Sequence, residues 1–148
     1  MMHENEIIER HLALRKEEGM ELSIIMPCYN VESTIDRALN SIQMQQVNFG
    51  YEIIIVNDGS ADNSLRLMRA WQKRNNHVVI LDNEKNLGNA ESFYRGVCAA
   101  KGKYFCVLDG DDYYTVPDKL QRQVDFLNND VEEEYVATAT RYIVDLGN

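Results

Sequence analysis

Short, nearly unbroken apolar runs alternate along this chain with stretches of helical periodicity. The runs are residues 21–26 (ELSIIM), 51–56 (YEIIIV), 77–81 (HVVIL) and 104–108 (YFCVL), and 135–146 reads as a fifth strand. Continuous apolar character over 53–56 fits a strand covered on both faces, as in a parallel sheet. Between the runs, Ile35, Ala38, Leu39 and Ile42 recur at i, i+3, i+4 and i+7, the spacing of one helix face. Leu65, Met68 and Trp71 mark a second helix, Phe93, Val97 and Ala100 a third, and Leu120, Val124 and Leu127 a fourth. Ser33 is the expected cap of the first helix and Asp62 or Asn63 of the second. Pro27 is expected to end the first strand because it has no donor for a ladder, and Pro117 to sit in the first turn of the fourth helix. Strand–helix alternation implies right-handed crossovers, hence an α/β fold: a Rossmann-like, mostly parallel sheet with helices on both faces. Residues 1–20 read as a helical extension and 21–148 as the domain.

In such sheets ligands bind beyond the carboxyl ends of the strands. Four polar clusters fall there: Pro27, Tyr29 and Asn30 after the first strand, Asp58 after the second, Asn83 to Gly88 after the third, and Asp109 to Asp112 after the fourth. The last is the most telling. Two unit charges about 4 Å apart repel by about 4 kcal/mol at an effective dielectric of about 20. Asp109, Asp111 and Asp112 would therefore gain from a shared cation, and Mg or Mn, hard ions that take oxygen ligands alongside substrate phosphates, suit them. Gly110 allows a tight turn between the first two. Asp58 can accept hydrogen bonds from a base or ribose, Tyr29 and Asn30 can line a base pocket, and Asn86 and Gly88 can shape a loop facing ribose or sugar. Each cluster also reads as an ordinary turn, and Glu32 equally as an exposed carboxylate at a helix start. Lys85 and Arg95 are weaker phosphate candidates.

Composition narrows the partner. Asp and Glu number 24 against 15 Lys and Arg, and no basic cluster stands out, which argues against nucleic acid. The three cysteines have neither zinc-type spacing nor an even count for disulfides, and read as reduced thiols of a cytoplasmic protein. No stretch has the roughly 20 apolar residues of a membrane span, although peripheral association with the inner face of the cell membrane stays open. There is no GxxxxGK[ST] or GxGxxG loop, and His3, His11 and His77 lie away from the polar edge.

Taken together, SIIMPCYNVE (23–32), IIIVNDGSADNS (53–64) and NEKNLGNAESFYRGVCAAKGKYFCVLDGDDYYTVPDKL (83–120) resemble the family 2 glycosyltransferases, most of all those of bacterial capsule and lipopolysaccharide synthesis. The resemblance implies a GT-A fold, here truncated, and sugar transfer from a nucleoside diphosphate sugar to an acceptor hydroxyl on a glycan or lipid-linked substrate. It makes Asp109 and Asp111 a DxD-type motif supported by Asp112. It gives Pro27, Tyr29, Asn30, Glu32, Asp58, Asn86, Gly88, Asp109 and Gly110 to the nucleotide sugar, and 21–148 becomes the donor-binding part of the domain. Relatives often carry Ala-Arg-Asn where this chain has Ser92, Phe93 and Tyr94, and they supply a general base further along. Glu132 to Glu134 read as a solvated turn and leave the base unassigned, so binding of donor with little transfer by this chain alone is the expectation. The alternative is a non-catalytic nucleotide-sugar-binding or assembly module. A haloacid-dehalogenase-like phosphatase would want Thr or Val where Tyr113 stands, and a sugar nucleotidyltransferase a glycine-rich loop in place of 27–30.

Overall fold

The computed structural model describes residues 19–130 and 137–139. In chain order these form β1 (Met20–Cys28), α1 (Ile35–Gln43), β2 (Gly50–Asn57), α2 (Ser64–Gln72), β3 (Val78–Asp82), α3 (Asn89–Ala99), β4 (Tyr104–Val107) and α4 (Lys119–Asn128). Of the expected extension at 1–20, residues 1–18 lie outside the described residues, and Met20 is already the first residue of β1 rather than part of a helix; most of the expected fifth strand at 135–146 also lies outside them.

The four described strands form one sheet in the order β3-β2-β1-β4, every pair parallel. Register alternates side chains between two faces. Leu22, Ile24, Met26, Ile53, Ile55 and Val78 lie on one, packed in a single core with Ile35, Ala38, Leu39 and Ile42 of α1, Met68 of α2 and Leu120 of α4. Full burial of each such side chain is worth about 1.5–3 kcal/mol. The apolar stripe of α1 is thus the one its spacing predicts. The opposite face carries Ile25 and Val56, and α3 lies on it so closely that a Cβ on Gly96 would stand 2.4 Å from Ile25 Cγ2. Helices therefore cover both faces.

Several local expectations are corrected. β1 runs through Pro27 to Cys28. The Pro27 carbonyl accepts from Gly110 N–H on the side of β4, whose ladder has already ended at Val107, so the missing proline donor falls where no strand is paired. Thr34, not Ser33, precedes α1, and its hydroxyl caps no amide, donating instead to the carbonyls of Val31 and Gly110. Asn63 precedes α2 without capping it, while Asp62 Oδ1 accepts the Ser64 amide at 2.9 Å. α3 buries Ser92 and Gly96 rather than the predicted Phe93, Val97 and Ala100, because so close an approach to the sheet admits only small residues. Pro117 lies two residues before α4 instead of in its first turn. Cys28 is buried, Cys98 and Cys106 are partly so, and all three are free thiols.

Candidate functional site

Each strand's last carbonyls hold the loop that follows its neighbour. Asp58 N–H donates to Cys28 O at 2.8 Å and Asn83 N–H to Asn57 O at 2.9 Å, while Gly110 N–H donates to Pro27 O at 3.2 Å. The four polar clusters are thereby tied side by side along one edge, in the order of the strands. β1 lies between β2 and β4, so the chain reverses its winding there, and the crevice at such a switch point is where open α/β sheets bind ligands. Pro27, Tyr29, Asp109 and Gly110 all stand at that crevice.

Asp58 is buried, and hydrogen-bond donors surround it. Oδ1 accepts from Asn83 Nδ2 at 2.9 Å and Leu87 N–H at 2.7 Å, and Oδ2 from Gly88 N–H at 2.9 Å. Burial pushes its carboxyl upward, but hydrogen bonds from Leu87, Asn83, Ser92 and Gly88 outweigh that and hold it below the usual range. The side chain thus pins the loop after β3 to the loop after β2. Asn86 Oδ1 also accepts the Gly88 amide, and Gly88 has φ 91°, so both shape this loop. Gly59 (φ 65°) lets the two loops touch, since a Cβ there would stand 2.5 Å from the Lys85 carbonyl carbon. Arg95 Nη1 donates to Asn83 Oδ1, on the same network.

The loop after β1 leaves Tyr29 half exposed, its ring free to stack. Asn30, at φ 53°, accepts the Ala61 amide through Oδ1, and Glu32 accepts the Asn63 amide through Oε2. Both residues, expected at the ligand, engage the loop after β2.

The acidic turn is held from two sides. Gly110 packs where a Cβ would meet Cys28 Sγ at 2.6 Å, and its carbonyl accepts from Thr34. Asp109 is partly buried, and Asp111 and Asp112 are exposed. Burial, then Asp111, then Asp112 raise the Asp109 carboxyl above its ordinary value. Cys28 reports the same field: burial first, then Asp109 and Asp111, drive its thiol far up. Among the described residues, none of the three carboxylates has a salt bridge, and no group of three or more His, Cys, Asp and Glu side chains encloses a metal. Unrelieved mutual repulsion at a crevice fits a cation held by one or two carboxylates and completed by a ligand's phosphates.

Asn83, expected only as the first residue of a polar cluster, joins the network of Asp58, and Ser92 and Asp62 are site residues that the sequence did not assign to the ligand edge. Register carried a signal for the first: Asn57 pairs with Asp82, so Asp58 must adjoin Asn83.

The model of glycosyl transferase family 2 matches residues 23–147. An uncharacterized glycosyltransferase of Haemophilus influenzae is 35% identical over 106 residues, covering 72% of this chain and 32% of its own length. The uncharacterized glycosyltransferase EpsJ of Bacillus subtilis is 37% identical over 92 residues, covering 62% of this chain and 26% of its own. This chain thus spans roughly a third of such relatives or less. Staphylococcus aureus TarS in complex with UDP-GlcNAc superposes with a TM-score of 0.66 at 27% identity, over 74% of this chain and 31% of that one. The mannosyltransferase PcManGT of Pyrobaculum calidifontis, in complex with GDP-Man and Mn2+, gives 0.67 at 21% identity, over 74% and 33%, a likeness of fold. With its parallel sheet and the polar edge just described, this chain belongs to glycosyl transferase family 2 and has the GT-A type of fold.

Proposed function

We propose that this chain binds a nucleoside diphosphate sugar along the carboxyl edge of its sheet, as the donor side of a metal-dependent sugar transferase of cell-surface polysaccharide synthesis. The observation that carries the reading is the attachment of the acidic turn to the end of β1, beside the loop of Tyr29 and the pinned Asp58. Tyr29 would stack on the base, Asp58 and its loop would face the nucleoside, and Asp109 and Asp111, supported by Asp112, would hold Mn2+ or Mg2+ against the diphosphate. That cation would supply positive charge where the leaving diphosphate gains negative charge. The TarS complexes with UDP and with UDP-GlcNAc support a nucleotide sugar as ligand.

The acceptor would be the hydroxyl of a glycan or lipid-linked substrate. Free cysteines suit the cytoplasm, with work at the inner face of the membrane. Among the described residues no helix is long and apolar enough to cross a membrane.

Calorimetry against UDP-, GDP-, TDP- and CDP-sugars with Mn2+ tests the reading. One nucleotide class should bind at least tenfold more tightly than the others; a flat panel, with no binding at millimolar ligand, would refute it.

A further inference from the structure

The loops after β1 and β2 cap each other's backbone. The consecutive amides of Asn30, Val31 and Glu32 donate to Ser60 Oγ (3.0 Å), Ser64 Oγ (2.8 Å) and Asp62 Oδ2 (3.1 Å). In return the amides of Ala61 and Asn63 donate to Asn30 Oδ1 (2.9 Å) and Glu32 Oε2 (2.8 Å). Asp62 is central, because its other oxygen takes the Ser64 amide at 2.9 Å and so also fixes the start of α2. Burial raises its carboxyl, but hydrogen bonds from Ser64 and Glu32 bring it below the ordinary range, so it stays an anionic acceptor at neutral pH. Asn30 adopts its left-handed backbone within this lattice.

Tyr29 lies between two fixed points. On one side the Cys28 carbonyl holds the Asp58 amide, and on the other Asn30 is bonded to Ser60 and Ala61. We infer that Asp62 is a positioning residue: with Glu32 it locks the two loops together and sets the distance between Tyr29 and the loop of Asp58, and hence the fit of the nucleoside. This rests on the donor-binding reading and moves Glu32 from ligand contact to the lock. Asp62 acts through the amides it holds and touches no ligand.

The test compares the 148-residue chain with Asp62→Ala, Asp62→Asn and Glu32→Gln, using the nucleoside diphosphate that the panel selects, well below the melting temperature. Asp62→Ala should weaken binding about tenfold, the loss of one or two charge-assisted hydrogen bonds. Asp62→Asn, which keeps one acceptor oxygen, should recover part of it. The fold-gain in affinity on adding Mn2+ should stay at its wild-type value, because the acidic turn is untouched. Hydrogen exchange at the Asn30, Val31 and Glu32 amides should speed up in Asp62→Ala, and this arm needs no ligand. Wild-type affinity in Asp62→Ala, or unchanged exchange at those amides, would overturn the inference. Failure of the wild-type chain to bind any nucleotide while exchange behaves as expected would instead sink the donor reading, and with it the role of the lock in nucleoside fit.

Discussion

Replacing Asp58 by alanine is expected to lower the unfolding free energy by about 2–4 kcal/mol and to reduce donor binding below detection. Its carboxylate accepts from Leu87, Gly88 and Asn83. Two of these donors have somewhere else to go: Gly88 N–H also reaches Asn86 Oδ1, and Asn83 Nδ2 also reaches Ser92 Oγ. Leu87 N–H has no second acceptor among those contacts, and an amide left without a partner costs about 1–3 kcal/mol. Loss of charge-assisted bonds on the other two adds to that. Thermal unfolding should register a fall of roughly 5–15 °C in a domain of this size. Asp58→Asn should be milder in stability, since one oxygen survives, yet it turns a donor toward donors. The pH dependence has a definite sign. The folded carboxyl lies below the ordinary value, so its stabilisation is present above the unfolded pKa of about 4 and is lost as pH falls through the folded pKa. The stability gap between the wild type and Asp58→Asn should therefore narrow as pH drops below about 4.

Gly59→Ala is expected to be comparably damaging, for two separable reasons. At φ 65° alanine pays about 1–2 kcal/mol of backbone strain. Its Cβ would also stand 2.5 Å from the Lys85 carbonyl carbon and 2.6 Å from Asn86 N, both main-chain atoms that cannot rotate aside. Pushing that backbone away costs a further 1–3 kcal/mol or so and draws the loop off Asp58, so nucleotide affinity should fall together with the melting temperature. Gly59→Asn relieves the dihedral share alone, because asparagine visits the left-handed region more readily. Chemical denaturation should place it between the wild type and Gly59→Ala. Full recovery in Gly59→Asn would show that the close approach to Lys85 does not exist in solution.

Much of the architecture is legible in the residues themselves. Apolar runs mark all four described strands to within two residues at each end, and the stripe of Ile35, Ala38, Leu39 and Ile42 is buried as its spacing implies. Counting polar residues after each run also locates the edge on which Asp58 and Asp109 stand. The features that the sequence does not display are carried by small or polar side chains. α3 turns Ser92 and Gly96 to the sheet, and a helix that packs through such residues leaves no apolar stripe to find. Asn30 and Glu32 bond to main-chain amides of another loop, a relation that has no period and no fixed spacing along the chain. In the sequence Pro27 reads as a stop because a strand interior normally needs its donor. Its place at the side where β4 has ended could be known only once the strand order was known.

If the acidic turn grips a diphosphate through a cation, nucleotide affinity must respond to Mn2+. Calorimetry of the panel's preferred nucleoside diphosphate should show at least a tenfold gain in affinity when EDTA is replaced by Mn2+, and that gain should vanish in Asp111→Ala while the protein stays folded. Equal affinity in Mn2+ and EDTA, or an undiminished gain in Asp111→Ala, would rule out a cation held by this turn.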